Sequence, residues 1–202
     1  SLWYDEAYSV WSSRMDIRSP RTLWEWRIEF PLYYWLLHHW MRLWGQSEVA
    51  VRGLSALAGA LTVLPMYGVG RRALNEGGGW AAGMLTAVNP YLVLYSQEAR
   101  MYGCAVLVAA ASMAAFWRLL HGGRWPWWLA HALLIGLGFH LHYYIGWLAL
   151  AENLWVAGWL VRRAHRGSNV GWRRDVWRWI ASQLLVALLA APAVVVFLTK
   201  AV

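Results

Sequence analysis

Met101 to Leu120 reads MYGCAVLVAAASMAAFWRLL, and Arg118 is its only charged side chain. At about 1.5 Å per residue such a helix crosses the roughly 30 Å hydrocarbon layer of a bilayer. This run points to an all-α integral membrane protein. Upstream, Trp80 to Tyr95 is a shorter apolar stretch with Pro90 near its far end, and Val49 to Val69 leaves at Gly70-Arg71-Arg72. Downstream, Trp125 to Ile145 and Gly146 to Val161 run together over a length too great for one crossing. The polar break at His140, His142, Tyr143 and Tyr144 turns them into a helical hairpin, and Val176 to Leu198 closes the series. The expectation is a multispanning bundle of about six spans over residues 49–202.

Composition supports that class. Hydrophobic residues make up 60% of the 202 and charged residues 14%, which excludes an ordinary soluble domain. Eighteen Trp and ten Tyr suit the two headgroup layers, where an apolar ring and a polar N–H or O–H are both satisfied. The net charge of +8 comes from arginines scattered between apolar runs, the pattern of positive-inside loops, so no nucleic-acid partner is expected. With the Arg71-Arg72, Arg118 to Arg124 and Arg162 to Arg174 segments on the cytoplasmic side, the chain start and the turns at 96–100 and 140–144 fall outside. That count also expects a crossing helix upstream of Ser1. The lone Cys104 excludes an internal disulfide.

Residues 1–48 hold most of the acidic side chains and read as an external loop. Within it, Ile17 to Arg27 suits short helices in the interface plane, and Pro31 to Trp44 (PLYYWLLHHWMRLW) is too short to cross and reads as interfacial or re-entrant. Asp5 and Glu6 are adjacent carboxylates among Trp and Tyr, costly near a membrane unless used or neutralised; the plainer reading is a solvated acidic turn. Glu98, Arg100, His140 and His142 fall on the same face as the acid pair. Glu98 and Tyr102 share a helix face if 96–102 is helical, with Arg100 pointing elsewhere. His140 and His142 diverge on a helix, and the adjoining His38 and His39 read as interfacial. Glu152, inside a span, is expected to face other helices. Gly77-Gly78-Gly79 lacks the Lys-Ser/Thr of a phosphate loop and reads as a turn.

Five segments occur in order: Trp3-Tyr4-Asp5-Glu6-Ala7-Tyr8-Ser9; Pro31-Leu32-Tyr33-Tyr34; Ser47-Glu48-Val49-Ala50-Val51-Arg52; Asn89-Pro90 with Ser96-Gln97-Glu98-Ala99-Arg100-Met101-Tyr102; and His142-Tyr143-Tyr144. Together they resemble the motifs of the GT-C membrane glycosyltransferases over residues 1 to about 160. More narrowly, they are similar to the bacterial protein-mannosyltransferase-like branch that includes the aminoarabinose-lipid A transferases. The resemblance implies transfer of a sugar, with inversion, from a polyprenyl-phosphate donor to a lipid, glycan or protein acceptor at the external face of the cytoplasmic membrane. It implies Asp5 as general base, Glu6 orienting it or sharing a divalent metal ion, and Glu98 positioning acceptor or metal. Arg100, Tyr102 and His142 would bind the donor phosphate. Glu29 joins Glu6 and Glu98 as a metal-ligand candidate, because this chain has Glu29-Phe30 where the family commonly carries His-Pro. Membrane lipids and membrane-protein partners are expected. A second reading is a catalytically degenerate GT-C-like subunit of a larger membrane complex. A transporter is weaker, since no span contains a paired or broken-helix ion site.

Overall fold

The computed structural model describes residues 2–15, 31–122, 124–165 and 172–200, and among these every regular element is a helix. In chain order they are α1 (Tyr4–Arg14), α2 (Pro31–Trp44), α3 (Glu48–Ala73), α4 (Glu76–Ala87), α5 (Pro90–Ser96), α6 (Tyr102–Leu120), α7 (Trp125–Gly138), α8 (Ile145–His165) and α9 (Trp172–Lys200). The expected interface helices at Ile17 to Arg27 lie outside the described residues, as does Glu29.

Local chemistry sets most of the boundaries. The Ser47 hydroxyl accepts the Ala50 N–H at the start of α3, and Asn75 does the same for α4 through Gly78. Gly45, at φ +85°, lets the chain turn between α2 and α3. The apolar stretch Trp80 to Tyr95 is not one helix: Pro90 has no N–H to continue α4, and the Asn89 side chain caps a new helix by accepting from Tyr91 and Leu92. The expected break between α7 and α8 is present, as turns over 139–144. In contrast, α3 continues through Arg71 and Arg72 instead of ending before them.

Three helical segments among the described residues are long and apolar enough to cross a membrane: Glu48–Ala73, Tyr102–Leu120 and Arg174–Thr199. The remaining apolar runs do not reach that standard as single helices. The Asn89-Pro90 break leaves pieces of 12 and 7 residues, α7 has 14, and α8 carries Glu152 and Arg162 in its 21. These three candidate spans among the described residues support an integral membrane protein, and they do not by themselves establish the expected count of about six. Large apolar side chains such as Leu64, Leu85, Leu184 and Leu188 are exposed, as on a surface that faces lipid.

Two packing features position the site. A Cβ on Gly103 would lie 2.9 Å from the Ser55 carbonyl, so glycine allows the first turn of α6 to press against α3. A buried cluster of Val10, Tyr34, Leu37, Val51, Ala99 and Leu141 joins α1, α2, α3 and both loops of that end. Two links fasten α2 there: His38 Nδ1 lies 2.7 Å from the Ser13 carbonyl oxygen, and Trp40 Nε1 donates to the Ala50 carbonyl at 2.7 Å.

Candidate active site

The acid pair divides at once. Glu6 is 1% exposed, at the third position of α1, where its Oε2 accepts the Trp3 N–H and closes the helix start. Arg52, one turn into α3, donates from Nε to Oε1 at 2.8 Å and from Nη2 to Oε2 at 2.7 Å. The Ala99 N–H adds a fourth bond to Oε1 at 2.9 Å. These donors hold the Glu6 carboxyl well below its ordinary value of 4.5, at about 2: the Arg52 bonds lower it most, burial opposes them, and the Ala99 and Trp3 N–H groups lower it further. Asp5, one residue earlier, is 67% exposed, and its Oδ2 lies 3.8 Å from Arg100 Nη1.

Glu6 thereby ties α1 and α3 to the segment 97–101, which is a turn rather than a helix. Ala99 is fully buried, and the Ser55 hydroxyl donates to the Arg100 carbonyl at 3.0 Å, pinning the turn from its other side. A turn changes the expected geometry. Arg100 and Tyr102, which a helix would have separated, come together, with the guanidinium 5.6 Å from the Tyr102 ring centre. Half-buried Glu98 projects from the same turn.

His142 is buried, and its ring lies 5.5 Å from that of Tyr102 and 4.6 Å from that of Tyr143. His140 points away, with Nε2 2.8 Å from the Leu189 carbonyl oxygen of α9. The two histidines diverge, as their spacing suggested, although on a turn. The aromatic series continues from Tyr143 to Phe197 at 5.6 Å. There it borders an apolar cavity of about 510 Å³ lined by Phe139, Tyr143, Trp147, Leu150, Val194 and Phe197.

Asp5, Arg100, Tyr102 and His142 are thus brought to one end of the bundle, with Glu98 on the same turn. As a metal set the candidates fit poorly. Both Glu6 oxygens are already committed to nitrogen donors, and no three of His, Cys, Asp and Glu gather for a cation among the described residues. Arg52 stands in the sequence reading only as the end of a motif segment, with no role at the site, and Ser55 is not singled out there. The available signal was a charge inside an apolar run, which needs a partner.

Residues 29–198 match the family model described as dolichyl-phosphate-mannose-protein mannosyltransferase. The match includes Arg52, Glu98, Arg100, Tyr102 and His142, while Asp5 and Glu6 precede it. No curated protein and no solved structure matches the chain.

Proposed function

As a chain that belongs to the dolichyl-phosphate-mannose-protein mannosyltransferase family, and so a membrane glycosyltransferase of the GT-C type, this protein, we propose, takes its sugar from a polyprenyl-phosphate donor. Transfer occurs at the external membrane face, to a lipid, glycan or protein acceptor. The observation that carries this reading is the placing of exposed Asp5 beside Arg100 at the head of an aromatic path leading to an apolar cavity.

The acceptor hydroxyl attacks the anomeric carbon and gives its proton to the Asp5 carboxylate. As the new glycosidic bond forms, the bond from that carbon to the phosphate oxygen breaks, and a single displacement inverts the centre. The lipid phosphate leaves with an added negative charge, which the Arg100 guanidinium meets with paired N–H donors. Tyr102 and His142 fix the guanidinium's surroundings and border the donor. The donor's isoprenoid chain enters the cavity beyond Tyr143, an apolar volume suited to a hydrocarbon tail. Glu6 is a positioning residue, holding the turn that carries Arg100, and Glu98 stands at the acceptor side. No step passes through a metal.

Transfer of labelled sugar from polyprenyl-phosphate donors in membranes containing the intact gene product tests the reading. Asp5→Asn should lower turnover by about 10²–10⁴-fold, the range for a lost general base, while the protein still folds and inserts. Undiminished turnover in that variant removes Asp5 as base. Absence of transfer from every polyprenyl-phosphate donor by the unaltered protein removes the donor class.

A further inference from the structure

A second polar centre lies at the other end of the bundle. α3 and α6 start together, with Gly103 against Ser55 beside the Glu6 and Arg100 site, and both run away from it. From Ser55 to Arg72 and from Gly103 to Arg118 the helical rise is roughly 23–26 Å, close to the thickness of a hydrocarbon core. At that depth the two basic turns, distant in sequence, meet around one cavity of about 480 Å³. Arg72, Arg118, His121 and Arg124 line it together with Trp117 and Trp127, and among the described residues no carboxylate does.

The cations there are held in place without being neutralised. Arg71 turns aside to Glu76 at 3.7 Å, while Arg72 donates to the Gly68 carbonyl of its own helix, at 3.0 Å, and pairs with no carboxylate among the described residues. Half-buried Arg118 places its guanidinium over the Trp127 ring, 3.7 Å from its centre, on the same cavity as Arg72. His121 stacks on Trp117, with ring centres 4.6 Å apart. Like charges gathered beside indole rings, at the level where indoles meet headgroups, make a setting suited to a lipid phosphate.

We propose that this cavity binds the phosphate of an anionic phospholipid from the leaflet opposite the active site. Arg72 and Arg118 bracket the phosphate, Arg124 and His121 stand at its rim, and Trp117 and Trp127 lie along the glycerol and upper acyl carbons. A lipid is favoured over a soluble phosphate because the cavity sits at the ends of two membrane-crossing helices, beside exposed apolar surface. The assignment does not depend on which sugar is transferred.

The test is the melting temperature of the full chain in nanodiscs of phosphatidylcholine alone, of phosphatidylcholine with added phosphatidylglycerol, and of phosphatidylcholine with inorganic phosphate in the buffer. Phosphatidylglycerol should raise the wild-type midpoint by about 3–5 °C, and inorganic phosphate should not. In pure phosphatidylcholine, Arg72→Gln/Arg118→Gln should melt at or above the wild type, because it removes a like-charge pair, and phosphatidylglycerol should no longer raise its midpoint. Arg162→Gln, which alters an arginine bonded to the Gly158 carbonyl of its own helix, should retain the full rise. Should the double variant fail to fold, Arg72→Gln alone, at an exposed position, should show a smaller rise than the wild type. An equal rise in the wild type and in whichever of these variants folds overturns the site, and an equal rise with inorganic phosphate overturns the lipid as its occupant.

Discussion

Two glutamates are buried among the described residues, and their surroundings differ in kind. Glu6, at the active-site end, receives four N–H bonds, two of them from a guanidinium. Glu152 of α8 is 5% exposed, and its Oε2 lies 2.8 Å from His131 Nε2 of α7; Oε1 and His131 Nδ1 have no partner among the described residues. A full carboxylate charge is sustained away from water only when opposite charge and hydrogen bonds replace its hydration. Glu6 meets that condition, while the Glu152 contact has the hydrogen bonding of a polar pair inside a helix bundle. The difference bears on function through the neighbouring residue. Because Glu6 is committed to holding α1, α3 and the 97–101 turn, Asp5 can stay exposed next to Arg100.

The largest break in that comparison is Glu6→Ala. It strands Arg52 and leaves the Ala99 N–H buried without its acceptor, so unfolding in detergent should become easier by about 3 kcal/mol, the lower end for breaking a buried pair. The lower end applies because the Arg52 side chain is 31% exposed and recovers some hydration. A change below about 1 kcal/mol would mean that the node does not hold this end together.

Acid titration approaches the same contact from another direction. The folded carboxyl, at about 2, lies below its ordinary 4.5, so the stabilisation is fully present above about pH 4.5 and is lost as pH falls towards 2. The wild-type melting temperature should decline through that window, and that of Glu6→Gln should decline less. Parallel curves for the two proteins would assign the acid sensitivity to other groups.

Much of this arrangement was legible in the sequence, but unevenly. The bounds of Pro31 to Trp44 and the break at His140 to Tyr144 could be read directly, because proline, glycine and polar clusters act locally. The gathering of Asp5, Arg100 and His142 at one end followed from alternating basic and acidic turns, which is a property of membrane topology. The split at Asn89-Pro90 was visible as a proline, but its outcome depended on Asn89 capping a new helix. Glu6 was legible as a costly acid, whereas its partner Arg52 lies in a different helix. Which of two adjacent acids turns inward is decided by that long-range pairing and by the Ala99 N–H, neither of which leaves a local pattern. The basic cavity needed the structure for the same reason, since Arg72 and Arg118 meet only when α3 and α6 pack side by side.

The smallest expected effect sharpens the contrast most. Glu152→Gln keeps the shape of the side chain and offers either a carbonyl oxygen or an amide N–H to His131 Nε2, so the 2.8 Å contact survives whichever ring nitrogen carries the proton. If the pair acts as a hydrogen bond between α7 and α8, unfolding should shift by less than about 1 kcal/mol. His131→Leu should cost more, because it leaves a carboxyl facing Phe116 and Trp179, the rings that now pack on the imidazole. Unfolding in detergent measures both variants against the wild type. Were Glu152→Gln to destabilise the protein as much as Glu6→Ala, the bundle would be holding a second full charge. The distinction between a neutralised acid at the active-site end and a polar contact between α7 and α8 would then fail.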